Sequence, residues 1–461
     1  MGHKIFLLLM IATSGAAHAT DTLRLDYFHS GNATEEMFSL DELVIEPLPW
    51  PGNPKQPIDE LKRGKYLFEV TGESGELLYS RGFSSIYGEW ETTGEAREIN
   101  RTFHESVRFP KPEVPFELTI KKRNAANGFD PVWSIKLDPD DYVNHRESLL
   151  HADRVIPIEV NGDPTEKVDL LLIGDGYTEA EMGKFEATAR ELTKKFFETS
   201  PFDRRRTDFN VWALAPPSRQ SGISRPSTGT YRDSPVGARY DAFRSERYVL
   251  TYDNKAFRRI ASSAPYDAVE ILVNNETYGG GGIYGLYSTA AANSAWAAYL
   301  FIHEFGHHFA GLADEYYTSS VAYEFSGEIT EPHEPNVTAL LDPDNLKWNH
   351  RVSADTALPT QWPKEKYEKH AVAYQEKRKK LRAENRPESE MNELFQQTQD
   401  FSEKLFASHP NHRVIGAFEG ANYQAKGYYR SAMNCIMFTR TRDFCDVCGA
   451  AIEQVIDSLV Q

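Results

Sequence analysis

The chain is poor in cysteine, in long apolar runs and in positive charge, and each shortage removes a class of protein. Only three cysteines occur in 461 residues, Cys435, Cys445 and Cys448, too few for a disulfide-stapled scaffold. In an oxidising compartment two can pair, with Cys435 as one expected partner, and one is left over. The Cys445–Cys448 step lacks the second ligand pair that a zinc knuckle needs. Beyond the N-terminus no segment stays apolar for the ~20 residues of a membrane helix, so no membrane span is expected. Lys and Arg number 51 against 68 Asp and Glu, a net charge of −17. Phosphate binding needs a cationic excess, which argues against a nucleic-acid partner. The single Gly174-Asp175-Gly176 turn carries no phosphate-loop lysine, which argues against nucleotide binding. Internal repeats and low-complexity tracts are missing too.

What is present divides the chain. Lys4, the apolar run Ile5 to Ala12 and the Ala17-His18-Ala19 step have the layout of a cleavable signal peptide over 1–19, so a secreted or periplasmic/extracellular location is expected. The remainder is too long for one ordinary core, and two domains are expected. From residue 20 to about 154, apolar and polar residues alternate, as in Phe116, Leu118, Ile120 and in Trp133, Ile135, Leu137. Period two with one polar face describes half-buried antiparallel strands, and a β-sandwich accessory domain is the natural closure. At residue 155 the character changes. Val168 to Ile173 forms a buried-strand run, and a helical pattern opens after Thr178, which is an α/β beginning. The predicted fold is therefore α+β, with a sandwich over 20–154 and an α/β domain over 155–461. A charged helical insertion, broken near Pro387, is expected over about 362–408.

The chemistry concentrates in His303-Glu304-Phe305-Gly306-His307. On a helix, i and i+4 share a face, so both imidazoles can turn to one cation. Neutral imidazole suits Zn²⁺, and a catalytic site needs three protein ligands and an open position. Glu304 stands where its carboxylate can flank an activated water as general base. Gly311 is placed to end the helix and let the chain turn back. Asp314 and Glu315 then both offer a hard oxygen as third ligand. His308 lies about 100° round the helix from His307 and should miss the same ion.

The run from His303 to Tyr316 resembles the zinc signature of the IgA-peptidase family, the sixty-fourth metallopeptidase family, whose members are metzincin-like and secreted. One residue more than the metzincin pattern separates His307 from Gly311. The resemblance implies a metzincin-like zinc-peptidase domain with one catalytic Zn²⁺, held by His303, His307 and Asp314, with Glu315 as the fallback. Leu172 to Thr178, Gly279 to Gly285, and Gly416 to Ala421 with Tyr429-Arg430 and Cys435-Ile436-Met437 resemble further segments of that family. By the same resemblance Met437, rather than Met433, belongs to the methionine turn beneath the metal. Tyr428 or Tyr429 is a candidate to assist the oxyanion.

Four consecutive glycines, Gly279 to Gly282, either form a flexible loop or let a backbone pass close to a neighbour. On the second reading Gly281, Gly282, Ile283 and Tyr284 form an edge that pairs with a substrate strand. The leading functional expectation is a secreted zinc endopeptidase acting on a protein or peptide, host glycoproteins among them. The alternatives are a zinc amidase for cell-wall or glycan-linked amides, and a non-catalytic metal-containing binding protein.

Overall fold

The computed structural model describes residues 20–141, 144–319, 321–323 and 329–461. The signal-peptide expectation concerns 1–19 and lies outside the described residues.

The alternating N-terminal segments form two four-stranded sheets. One comprises β1 (Asp21–Gly31), β2 (Glu36–Pro49), β5 (Arg101–Pro110) and the short β8 (His145–Arg146). The other comprises β3 (Tyr66–Gly72), β4 (Leu77–Phe83), β6 (Phe116–Arg123) and β7 (Phe129–Leu137). Their inward residues, among them Leu25, Tyr27, Phe68, Phe109, Leu118 and Ile120, pack into one core. A helix, α1 (Ile86–Trp90), follows β4. Its residues Ile86, Tyr87 and Trp90 join the larger core of the second half instead, so the sandwich is locked onto the rest.

The second half is built on a six-stranded sheet. Its strands are β9 (Ile156–Glu159), β10 (Val168–Asp175), β11 (Phe209–Leu214), β12 (Ala268–Val273), β13 (Gly280–Ile283) and β14 (Tyr287–Ala291), in the order β13-β14-β12-β10-β11-β9. The four inner strands run parallel, and β9 and β13 are antiparallel edges. Every residue of β10, β12 and β14 is buried, the reason Leu170 to Ile173 and Ile271 to Val273 read as apolar runs rather than as alternations. Three helices accompany the sheet, α2 (Met182–Phe196), α3 (Asn254–Ala261) and α4 (Ala297–Ala310). Phe301, Phe305 and Phe309 of α4 are buried, and Phe305 packs edge-on against Phe196 of α2, with ring centroids 5.1 Å apart. A helix apolar on nearly every side can only be an interior one.

Beyond α4 come a strand β15 (Val337–Thr338), the helical pair α5 (Lys364–Ala383) and α6 (Glu388–Ala407), the hairpin β16 (Phe418–Ala421) with β17 (Gln424–Arg430), and the closing helix α7 (Asp446–Leu459). Pro387 stands at the N-cap of α6, where its missing N–H costs nothing. The molecule is thus a mixed α/β fold of several sheets, consistent with a two-domain α+β architecture.

Candidate functional site

Helix α4 carries His303, Glu304 and His307 on one face and ends at Gly311, whose φ of 59° is left-handed. That conformation suits glycine and turns the chain back under the helix. The end is fastened from the sandwich. The buried Arg63 guanidinium donates to the carbonyls of Ala310 (2.8 Å) and Ala451 (2.9 Å), a cation at a helix C-terminus. The helix starts at Ala297, and just before it the Ser294 hydroxyl accepts from the Trp296 N–H at 3.2 Å.

The returning segment carries Asp314 to the histidines. His303 Nε2 and His307 Nε2 are 3.2 Å apart, and Asp314 Oδ1 lies 3.1 Å and 3.2 Å from them. Each ring is oriented from behind. His303 Nδ1 meets the Ile436 carbonyl at 2.9 Å and His307 Nδ1 meets the Leu312 carbonyl at 2.6 Å. With each Nδ1–H donating, each neutral Nε2 turns a lone pair to the centre of the triangle. Asp314 Oδ1 is correspondingly buried without a hydrogen bond among the described residues. Three lone-pair donors facing one point repel one another unless a cation sits among them, so these residues fit a metal. A Glu304 oxygen lies within 4.8 Å of the imidazole nitrogens.

The charges follow the same geometry. Burial tends to raise Asp314, but the facing His307 and His303 rings hold its carboxyl well below the ordinary range. Burial tends to lower His307, but Asp314 lifts it to about 9. Burial pushes Glu304 up from its ordinary value, opposed by His303 and His307. His308 points elsewhere. It accepts from the Val269 N–H and faces the Ile283 carbonyl, each at 3.1 Å, and burial lowers it to about 4. It is a neutral staple between α4 and the sheet.

The glycine run is strand rather than loose loop. A Cβ on Gly280 would lie 3.0 Å from Glu304 Cγ, and one on Gly282 would lie 2.3 Å from the Glu304 carbonyl oxygen and 2.8 Å from His307 Cβ. The glycines let β13 lie directly on α4 at the site. The outer edge of β13 is partly taken. Gly280 donates to Arg247 O (3.0 Å) and accepts from Val249 N–H (3.1 Å), and Tyr284 O accepts from Ser84 N–H (2.8 Å). By strand alternation Gly282 also faces outward, between these two anchors. Gly281 and Ile283 face β14, so the edge offers a shorter pairing surface than the sequence suggested. All four residues line a cleft of roughly 580 Å³ with His303, Glu304, His307 and Asp314.

Met437 lies beneath the helix. A Cβ on Gly306 would meet its sulfur at 3.1 Å, so the glycine inside the motif makes room for it. Tyr428 lines the same cleft, its hydroxyl accepting from the Thr330 N–H at 3.3 Å, and Tyr429 pairs with Thr338 and Glu419 within the small sheet.

Besides Tyr299, whose hydroxyl lies 3.3 Å from His303 Nδ1, the triangle is reached by Tyr423, whose hydroxyl donates to Asp314 Oδ2 at 2.6 Å. It sits in the two-residue turn of the β16–β17 hairpin, where Asn422 and Tyr423 both have positive φ, 49° and 63°. Such turns favour Asn-Gly; tyrosine there costs about 1–3 kcal/mol, a strain typical of functional positions. An Asn-Tyr pair is no turn signal, which is why the sequence hid it. Arg247 was missed as well; it donates to the Tyr316 hydroxyl at 2.9 Å, and Tyr316 stacks near His303 with centroids 6.4 Å apart.

Glu315 does not face the triangle. It is fully buried on the opposite side of the segment, beside Cys448 and Asn336. The cysteines are not paired: all three are free.

Three donors that fit a metal, set on an interior helix beneath the edge strand of an α/β sheet and open to a cleft, are what a metal-dependent hydrolase requires. The family is specific. Residues 156–456 match the model of the IgA Peptidase M64 family and residues 16–134 that of the Peptidase M64 N-terminus, so the chain belongs to the M64 peptidase family. No match was found among curated proteins.

Proposed function

We propose that the protein is an exported zinc endopeptidase with His303, His307 and Asp314 as ligands and Glu304 as general base. The observation that carries this reading is the donor triangle itself, with edges of 3.1 to 3.2 Å on the floor of a cleft. Zinc–nitrogen and zinc–oxygen distances of about 2.0–2.1 Å imply tetrahedral edges of about 3.3 Å. When bound, Zn²⁺ supplies Lewis acidity towards a peptide carbonyl and acidifies water.

The chain's own groups do the rest. Glu304, beside the triangle and with its carboxyl raised by burial, takes the proton of the attacking water and returns one to the leaving amine. Tyr423 holds Asp314 in place through its 2.6 Å bond. A substrate strand runs along β13, pairing with Gly282 and passing between the anchors at Gly280 and Tyr284. Main-chain pairing favours a polypeptide substrate over an isolated amide, host glycoproteins such as immunoglobulins among the candidates.

Export rests on the sequence of 1–19. The division into a sandwich over 20–154 and a peptidase unit over 155–461, with α5 and α6 as an insertion, is supported by the separate sandwich core. Replacing Glu304 by Gln tests the mechanism: cleavage of a denatured protein and of immunoglobulin A should fall by about 10²–10⁴-fold with metal content unchanged. Undiminished cleavage would remove Glu304 from the chemistry.

A further inference from the structure

A second group of donors lies behind the triangle, where the mechanism makes no use of it. Glu315, Cys435, Cys445 and Cys448 bring one carboxylate oxygen and three Sγ atoms within 4.8 Å of one another. They come from three separate stretches: the segment after α4, the Met437 turn and the start of α7. We propose that these four residues bind a second Zn²⁺, a closed structural site that joins those stretches beneath the catalytic helix.

The spacing fits. Cys435 Sγ and Cys448 Sγ are 3.7 Å apart, and Cys448 Sγ is 3.4 Å from Glu315 Oε1. Zinc–sulfur bonds of about 2.3 Å and zinc–oxygen bonds of about 2.0 Å imply sulfur–sulfur edges of about 3.8 Å and sulfur–oxygen edges of about 3.5 Å. A disulfide needs its sulfurs at about 2.05 Å. It would also leave the third thiol over, with the Glu315 carboxyl buried against it.

The burial argument points the same way. Glu315, Cys435 and Cys448 are each 0% exposed, and Glu315 Oε2 is buried with no hydrogen-bond partner among the described residues. A buried carboxylate without a positive charge against it is costly, and a divalent cation among the three sulfurs supplies one. Positive partial charges face the group from several sides. Cys445 is the N-cap of α7 and Cys448 lies in its first turn, at the positive end of the helix. The Cys445 N–H donates to Cys435 Sγ at 3.3 Å, the Ser431 hydroxyl lies 3.3 Å from Cys445 Sγ, and Asn336 Nδ2 donates to Glu315 Oε1 at 3.1 Å. Four protein ligands and no open position are the marks of a structural rather than a catalytic zinc.

The position gives the site its purpose. The Glu315 N–H donates to the Met437 carbonyl at 2.8 Å, and the neighbouring Ile436 carbonyl takes His303 Nδ1 at 2.9 Å. Fixing Cys435 and Glu315 together therefore fixes the backbone that orients His303 and delivers Asp314. The assignment uses different donors from the catalytic reading and stands or falls separately from it.

The test uses the full chain with both active-site histidines removed, so that the catalytic site cannot contribute. Elemental analysis of the His303→Ala/His307→Ala protein should find one zinc per chain, against two in the unaltered protein. Its cobalt-reconstituted form should show a thiolate-to-cobalt charge-transfer band. Adding Cys445→Ser, a substitution at the least buried of the three sulfurs, should remove both signals. Should that triple variant fail to fold, the cobalt spectrum of the double variant decides alone. A double variant with no metal, with no thiolate band, or with an intact mass short by the two hydrogens of a disulfide overturns the proposal.

Discussion

Two donor clusters stand back to back in this protein, and they differ in the ways that separate chemistry from scaffolding. The triangle of His303, His307 and Asp314 offers nitrogen and oxygen, faces a cleft of roughly 580 Å³ and keeps a side open beside Glu304. The cluster of Glu315, Cys435, Cys445 and Cys448 offers mostly sulfur, is buried and is closed by four donors. Consecutive residues supply one carboxylate to each. The segment after Gly311 is held from both sides: Asp314 O and Tyr316 O accept from the N–H groups of Asn422 and Tyr423, while the Glu315 N–H donates to Met437 O. That alternation is strand-like, and in a strand successive side chains point to opposite faces. A single residue step therefore sends one carboxylate towards each cluster.

The sharpest way to break the comparison is to remove the two carboxylates one at a time. Asp314→Ala should abolish measurable peptide cleavage and lower the metal count by one while leaving the thiolate band of a cobalt-loaded protein intact. Glu315→Ala should do the reverse at first order, weakening the thiolate site and lowering the melting temperature before it lowers intrinsic activity. If each substitution emptied both sites, the clusters would have to be treated as one unit. Elemental analysis beside a peptide-cleavage assay reads out both arms.

A smaller effect isolates the support of the open site. Tyr423→Phe deletes the hydroxyl that donates to Asp314 Oδ2 and keeps the ring. Loss of such an outer partner costs about 10–100-fold in metal affinity or activity. Metal titration against a competing chelator measures it, and an unchanged affinity would reduce Tyr423 to packing. The sulfur cluster should be untouched.

The smallest expected effect concerns the strand over the helix. Gly282→Ala places a Cβ 2.3 Å from the Glu304 carbonyl oxygen, an overpacking that costs about 1–3 kcal/mol. Denaturant unfolding should register that loss, and cleavage should fall with it because the helix carrying Glu304 is displaced. Wild-type stability in this variant would mean that β13 moves away freely, as a flexible loop would.

Much of this was legible in the chain. Period-two alternation around Phe116 to Ile120 marked a sandwich sheet, the buried run Val168 to Ile173 marked a central parallel strand, and the break at Pro387 divided a helical pair. Each signal is local, because periodicity and proline act within one element. His303, Glu304 and His307 were legible for the same reason: one helix face sets their spacing. Tyr423 and Arg247 were not, since they reach the site from a hairpin turn and a loop distant in sequence. The fourth partner of the cysteines was hidden in the same way, because Glu315 lies 120 residues before Cys435 in the numbering of the chain.

The sequence by itself determined the family, the two histidines and the glutamate, and the set of donors from which any third ligand had to come. Tertiary structure alone decided how those donors divide. It folds the chain back at Gly311, threads the Asp314–Glu315 step between the β16–β17 turn and the Met437 turn, and so sends adjacent carboxylates to opposite faces. Ligand type can be written in a residue, but the direction in which its side chain points is fixed by the backbones packed on either side.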